Sequence, residues 1–141
     1  MLQETQINQD VKFDKSKYVK GIFINVYEHS VSEHLFRKNK DGDVDLRELY
    51  EAIGCDLVER MPLNKYGFYD DSHDLIMDEE GLFKPTPGCM VGKSVILGNS
   101  VIFSIDWEKG RWQDAHIQVN EVISKIVWLD TQTATSIARQ M

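Results

Sequence analysis

Cysteine, proline and long apolar segments are scarce in this sequence. Its 141 residues include only two cysteines, Cys55 and Cys89, and three prolines. No apolar run approaches the roughly 20 residues needed to cross a bilayer, and residues 1–15 lack the basic start and apolar run of a signal peptide. We therefore expect a cytoplasmic protein whose thiols are reduced, with a structural disulfide as the less favoured alternative.

The sequence also lacks the patterns that usually carry catalysis. Its glycines match neither nucleotide-binding fingerprint. Cys89 follows a Pro-Gly turn, but no residue beside it in sequence supplies the base that a nucleophilic cysteine needs. Zinc requires three or four converging ligands, whereas the histidines are scattered at His29, His34, His73 and His116. We therefore predict a protein that is not an enzyme and that has no cofactor or metal.

The composition is that of one folded, acidic domain. The chain is 42% hydrophobic and 28% charged, with 23 acids against 16 bases and a net charge of −7. This length and hydrophobic content fit a single domain with a substantial core. The negative charge argues against a nucleic-acid backbone or an anionic membrane as the main partner. It is compatible with a small anionic ligand, because the field inside a pocket can differ in sign from the whole.

The pattern along the chain predicts an α+β fold, with a small, mainly antiparallel sheet, one central helix and a C-terminal helix. Residues 1–16 are polar and unpatterned, so we expect a mobile N-terminal arm there and a single α+β domain over residues 17–141. Residues 19–27 and 31–36 are rich in β-branched and aromatic side chains and predict the first two strands.

Two helices are predicted from spacing and end signals. Apolar residues repeat with helical spacing over residues 46–53, where Asp43 or Asp45 serves as the N-cap and Gly54 as the left-handed end. A second helix is expected over residues 132–140, after a threonine cap.

The third quarter of the chain predicts a hairpin. Residues 91–97 and 100–105 would be its strands, because Gly98-Asn99 suits a two-residue turn. An edge strand of this hairpin offers a route to dimerisation. Residues 119–129 are apolar with an ambiguous period that fits either a helix or a strand.

The segment RKNKDGDVDLRE, residues 37–48, resembles a calcium-binding EF-hand loop at most marker positions. The matching residues are Asn39, Asp41, Gly42, Val44, Asp45 and Glu48. The first position is Arg37, a cation where the metal needs an oxygen ligand, and the preceding residues predict strands where an EF-hand has a helix. We interpret the segment as a polar turn whose aspartates cap a helix, and calcium binding is a weaker alternative.

Aromatic and basic residues suggest a binding surface. One group of rings lies in the loop over residues 64–72, and a second brackets two cations further along the chain. An aromatic face beside a cation suits a planar, charged ligand, and the alternative is that these rings close the ends of a small sheet. The predicted ligand-binding residues are Tyr66, Phe68, Tyr69, Trp107, Lys109, Arg111 and Trp112.

From residue 44 to about residue 105, the order of motifs resembles the phage and mobile-element family catalogued as domain of unknown function 3846. The motifs are LRELYEAIG, CDLVERMPL, DLIMDEEG, KPTPG and MVGKSVILGN. Members of that family usually carry an asparagine after the proline link, where this chain reads Pro-Thr-Pro-Gly. The resemblance implies no catalytic residue. It implies a phage or mobile-element setting in a bacterial host cell, where small accessory proteins commonly counter host defence.

Two principal hypotheses follow. The first is a non-enzymatic, homo-oligomeric phage protein that sequesters a nucleotide-like immune signal. The second is an inhibitor whose acidic surface covers a basic host protein or mimics DNA. A cysteine or metal enzyme is the weakest alternative. The second hypothesis would use Asp41, Asp43, Asp45, Glu48, Asp70, Asp71, Asp74, Asp78, Glu79 and Glu80.

Overall fold

The computed structural model describes residues 13–68, 70–81 and 84–140. Nine strands lie in these ranges: β1 (Tyr18–Asn25), β2 (Ser30–Arg37), β3 (Val58–Pro62), β4 (His73–Asp78), β5 (Gly88–Val91), β6 (Ser94–Leu97), β7 (Ser100–Asp106), β8 (Arg111–Gln113) and β9 (Ile126–Leu129). The α-helices are α1 (Leu46–Ile53), α2 (Val119–Ile123) and α3 (Thr131–Gln140). Short 3-10 helices occur at Lys15–Lys17 and Leu63–Tyr66. The predicted α+β class is confirmed. Most of the predicted arm, residues 1–12, lies outside the described residues.

The larger sheet has the strand order β2-β1-β7-β4-β3, with β8 added to β7, and its pairings are antiparallel. β7 is the central strand, and its side chains are buried on both faces. Because successive side chains point to opposite faces, Ile102 packs on one face while Val101 and Phe103 pack on the other. The sheet therefore separates two hydrophobic cores.

The two cores are covered by different elements. Helix α1 covers one face through Leu49 and Ile53. The smaller sheet, of order β6-β5-β9, covers the other through Cys89, Val91 and Ile96. Helix α3 packs against β6 and β5. Among the helices of the described residues, none is long and apolar enough to traverse a bilayer.

Helix α1 begins and ends as its sequence predicts. Asp45 is the N-cap, since its carboxylate accepts a hydrogen bond from the Arg47 amide at 3.0 Å. Gly54 ends the helix with a φ of 81°, and its amide donates to the Tyr50 carbonyl. This left-handed conformation is one that glycine adopts without a steric penalty.

The predicted hairpin over residues 91–105 is wrong. Strand β5 pairs with β6 through a turn at Gly92, whereas β6 and β7 belong to different sheets. Gly98 and Asn99 form a crossover between the sheets. The Gly98 amide donates to the Pro87 carbonyl, and the Asn99 side chain accepts from the Val26 amide at 2.9 Å. Strand β7 is central to the larger sheet, whereas β6 is an edge strand of the smaller sheet, so dimerisation through an edge strand of this segment stays a prediction.

The ambiguous segment at residues 119–129 contains both predicted structures in succession, namely helix α2 and then strand β9. Strand β9 forms one edge of the smaller sheet by pairing with β5. The C-terminal helix α3 is confirmed, although its first amides are capped by Asp130, whose carboxylate accepts from the Thr133 amide at 2.8 Å.

Gly21 is expected to be intolerant of any side chain. A Cβ atom there would lie 2.6 Å from Val101 Cγ1 and 2.9 Å from Phe103 Cε1. We expect Gly21→Ala to lower the free energy of unfolding by about 1–3 kcal/mol, because the buried side chains would have to shift. Urea denaturation measures this value. Ser32→Ala on the exposed part of β2 is the control and should change it by less than about 0.5 kcal/mol. Equal stability of the two variants would contradict close packing at Gly21.

Candidate functional site

Two adjoining cavities form what we call the basic cleft. Its inner half has a volume of about 570 Å³ and its outer half about 690 Å³. Ser16, Tyr18, Lys38 and Gly42 line both halves. The walls are the 3-10 helix Lys15–Lys17, the loop that follows β2, and the turn and strand that follow β7.

The register of β1 and β2 positions two of these walls. Tyr18 lies opposite Arg37, so the segments just outside the hairpin run side by side. The Lys38 amide donates to the Lys17 carbonyl at 2.8 Å and joins them. The loop after β2 is held by Asn39, whose side-chain oxygen accepts from the amides of Asp41 and Asp43. The rim of the cleft is therefore fixed by backbone hydrogen bonds.

Cations dominate the lining of the basic cleft. Among the residues that the structure describes, two carboxylates line it, those of Asp106 and Asp114. Each has one oxygen already occupied, by the Glu108 and Lys109 amides and by the Lys20 amide respectively. The chain as a whole carries a net charge of −7, so the cleft has the opposite sign to the molecule. The seven cations that line it are Lys15, Lys17, Arg37, Lys38, Lys40, Lys109 and Arg111.

Arg111 lies at the centre of the site. Its Nε atom is 3.5 Å from an Asp43 carboxylate oxygen, which is an ion-pair distance. That atom is shielded from solvent and has no hydrogen-bond partner among the described residues. The guanidinium passes over Gly42, where a Cβ atom would lie 2.6 Å from Nη1. Gly42 therefore provides the space for Arg111.

A third cavity, the aromatic pocket, adjoins the basic cleft. It has a volume of about 370 Å³ and shares Arg111 and Trp112 with the inner half of the cleft. Its other lining residues include Leu46, Ile105 and Trp107. The Trp107 side chain is 66% exposed, whereas the Trp112 ring stacks on buried Phe103 at a centroid distance of 5.5 Å. The pocket thus combines a fixed ring and an exposed ring with two cations, Arg60 and Arg111, and one carboxylate, that of Asp43.

A buried hydrogen-bond chain holds the inner wall of the cleft. His73 is 3% exposed, and its Nδ1 lies 2.7 Å from an Asp70 carboxylate oxygen. Its Nε2 accepts from the His116 amide at 2.9 Å. Neutral histidine has one donor and one acceptor, so both ring nitrogens are used. His73 therefore positions the strand that leads to His116 and does not act as a free base.

Burial opposes ionisation of Asp70, but the hydrogen bonds from His73 and from the Ser72 amide outweigh it and lower the pKa of this carboxyl. The neighbouring Asp74 is 2% exposed and behaves in the opposite way. Its burial raises the pKa even though Arg60 lies 3.3 Å away and Trp112 Nε1 lies 3.4 Å away. These contacts connect Asp74 to the fixed ring of the aromatic pocket.

Asp70→Asn and Asp74→Asn are expected to change the acid dependence of stability in opposite directions. The lowered pKa of Asp70 means that its carboxylate stabilises the fold above the unfolded value of about 3.9, and that this stabilisation is lost as the pH falls through the lower native pKa. The raised pKa of Asp74 means that this carboxyl is protonated at a higher pH in the native state than in the unfolded state. Its contribution to the free energy of unfolding therefore increases as the pH falls towards the unfolded value of about 3.9.

Urea unfolding measured between neutral and acid pH tests both expectations. The Asp70→Asn variant should lose less stability on acidification than the unmodified protein, and Asp74→Asn should lose more. Parallel curves for all three proteins would contradict the assigned contacts.

The structure brings together four of the seven predicted ligand-binding residues. Trp107, Lys109, Arg111 and Trp112 all line the basic cleft or the aromatic pocket. Lys109 follows the Asp106 turn, and Gly110, with a φ of 65°, directs the chain into β8.

The prediction for the other aromatic group requires correction. Tyr66 and Phe68 are only 6% and 5% exposed and belong to the hydrophobic core shared by the two sheets. Burial raises the pKa of the Tyr66 phenol to about 12. The third residue of that group, Tyr69, lies outside the described residues. Tyr66 and Phe68 therefore pack in the core, although Phe68 also lines a cavity of about 600 Å³ and has Lys125 Nζ 5.3 Å from its ring centroid.

Several residues of the basic cleft were missed by the sequence interpretation. Lys15, Lys17, Arg37, Lys38 and Lys40 occur as two short basic segments separated by the β1–β2 hairpin. Each segment alone resembles an ordinary solvated turn. The signal that would have joined them is the hairpin register, because strands of equal length bring the two ends together.

The calcium-like loop has a different arrangement from an EF-hand. Glu48 accepts from the Arg37 amide at 3.1 Å, and Asp45 caps α1. Within the described ranges, no group of three or more His, Cys, Asp or Glu residues is arranged to hold a metal ion. The position next to Asp43 is taken by the Arg111 guanidinium.

The two cysteines are free and buried. Burial raises the pKa of Cys89 to about 12 and that of Cys55 to about 11. Since the thiolate is the nucleophilic form, Cys89 is not poised for catalysis. The residues around it form β5, which begins at Gly88.

No family model matches the chain, and no curated protein or solved structure is significantly similar to it.

Proposed function

We propose that the protein is a non-enzymatic binder of a nucleotide-like anion. The main observation in support is that seven cations of the described residues line one cleft, although the net charge of the chain is −7. A cleft of this sign raises the local concentration of an anion.

The geometry supports a division of roles within the site. Arg111 and Lys109 line the inner half of the basic cleft, where they would bind phosphate oxygens through charge-assisted hydrogen bonds. The adjoining aromatic pocket would take the planar base, with Trp112 as a fixed platform and Trp107 as a ring that is free to close over it. Arg111 lines both cavities and would contact both parts of the ligand.

Binding without turnover is supported by the state of the usual catalytic groups. Both thiols are buried with raised pKa values, and both ring nitrogens of His73 are engaged. We further propose that binding serves to sequester a signalling nucleotide of the host. That biological setting rests on the sequence resemblance alone and stays a prediction, as does assembly into a homo-oligomer.

The acidic-inhibitor hypothesis has less support from the contacts. Asp70 is bonded to His73, Asp74 is buried beside Arg60, and Asp78 is paired with Lys84 at 2.8 Å. These carboxylates are used within the fold. They are therefore less available to a basic partner surface than the hypothesis requires.

Replacing Arg111 is expected to weaken ligand binding selectively. Isothermal titration with cyclic nucleotides, nucleoside phosphates and ADP-ribose derivatives would first identify a ligand. For that ligand, Arg111→Gln should raise the Kd by about tenfold to a hundredfold, because a charged hydrogen-bond donor is lost. Affinity should also fall as salt increases.

The matched control is Lys93→Gln, which removes a cation from an exposed turn that lines none of the three cavities. It should leave the Kd within about twofold. An absence of binding across the whole panel, or an Arg111→Gln protein that binds as tightly as the control, would refute the proposed function.

A further inference from the structure

The basic cleft has two cationic halves with different cations. Lys15, Lys109 and Arg111 line only the inner half. Lys17, Arg37 and Lys40 line only the outer half, and Lys38 lines both. Lys15 and Lys17 thus line different halves of the cleft, although both belong to the same short 3-10 helix. A single phosphate group would engage one set of cations and leave the other set unused.

No carboxylate among the described residues lines the outer half, although the nearby Asp14 carboxyl, whose pKa is lowered mainly by its hydrogen bonds with Ser16, also interacts with Lys17 and Lys38. Its residues other than the cations are Ser16, Tyr18, Asn39 and Gly42. Among the described residues, none of its four cations has a carboxylate within ion-pair distance. Like charges held this close repel one another, and an anionic group between them relieves the repulsion. The outer half therefore has the character of an anion site in its own right.

The aromatic pocket adjoins both halves. It shares Arg111 and Trp112 with the inner half and Asn39 with the outer half. A base in this pocket would place one phosphate in the inner half, and a second phosphate group would extend past Lys38 into the outer half. The three cavities together match a ligand with one ring system and two separated anionic groups.

We infer that the ligand is a nucleotide carrying two separate phosphate groups, one for each half of the basic cleft. This inference rests on the proposed function and adds the ligand class to it. The outer cations distinguish such a ligand from a nucleoside monophosphate and from a nucleotide whose phosphates all lie at one end.

A short ligand fits this surface better than a long single strand of nucleic acid. Exposed acids adjoin the cleft cations in sequence, at Asp14, Asp41, Asp43 and Glu108. A strand leaving the cleft would pass these carboxylates and then the rest of an acidic surface, where its phosphates would be repelled.

Titration calorimetry with matched nucleotides tests the inference. For each common base, the probes are the nucleoside 5′-monophosphate, the 5′-diphosphate and the 3′,5′-bisphosphate, together with an oligonucleotide of about ten residues. We expect the bisphosphate to bind about tenfold or more tightly than the monophosphate and the diphosphate, since only it engages both halves. Its affinity should also fall more steeply with salt than that of the monophosphate.

Variants of the two halves separate this inference from the proposed function. The outer variant Lys17→Gln/Lys40→Gln should raise the Kd for the bisphosphate by about tenfold and the Kd for the monophosphate by less than about twofold. The inner variant Arg111→Gln should weaken both ligands. Lys65→Gln/Lys93→Gln removes the same number of charges elsewhere and should change neither affinity, and thermal melts confirm that each variant is folded.

Each alternative outcome has a distinct meaning. Equal binding of monophosphate and bisphosphate, unaffected by the outer variant, would overturn the two-phosphate inference while the proposed function stands. If the oligonucleotide binds more tightly than the bisphosphate, the two-phosphate inference is wrong and the cleft binds a nucleic-acid strand. Failure of every probe to bind would refute both proposals together.

Discussion

The antiparallel register of β1 and β2 is the constraint on which the basic cleft depends. Eight residue pairs join the two strands and place Tyr18 opposite Arg37, so two basic segments far apart in sequence become neighbours. The pairing of β1 with β7, through Ile22 and Ile102, then brings the third wall alongside. A shift of one residue would turn the apolar side chains of β1 to the wrong face of the sheet. The hydrophobic core therefore determines where the cations meet, although it contains none of them.

Buried polar groups connect this scaffold to the binding surface. His73 and Asp74 are successive residues of β4, and each holds a different wall through a hydrogen bond. In a low-dielectric interior such bonds are strong, and an unmade partner is destabilising. The inner wall of the cleft and the Trp112 ring are thus held by the fold itself, which would reduce the entropy lost in the proposed binding.

Local signals in the sequence predict the elements better than their assembly. The ends of α1 follow from Asp45 and Gly54 alone, since capping involves only neighbouring residues. Gly98 and Asn99 mark a change of direction correctly, but a turn-forming pair carries no information about which sheet the next strand joins. Tyr66 and Phe68 are predicted to bind because they lie in a loop outside the strand pattern, but their burial is decided by distant parts of the chain. The basic cleft depends on long-range register in the same way.

The loop over residues 37–48 shows what the combination of these features achieves. Its sequence resembles one that closes around a divalent ion, yet the positive charge beside Asp43 belongs to Arg111. That charge belongs to β8 of the larger sheet, so Asp43 and Arg111 tie the loop to the sheet. A cation that is covalently part of the chain differs from a metal ion in that the fold sets its position.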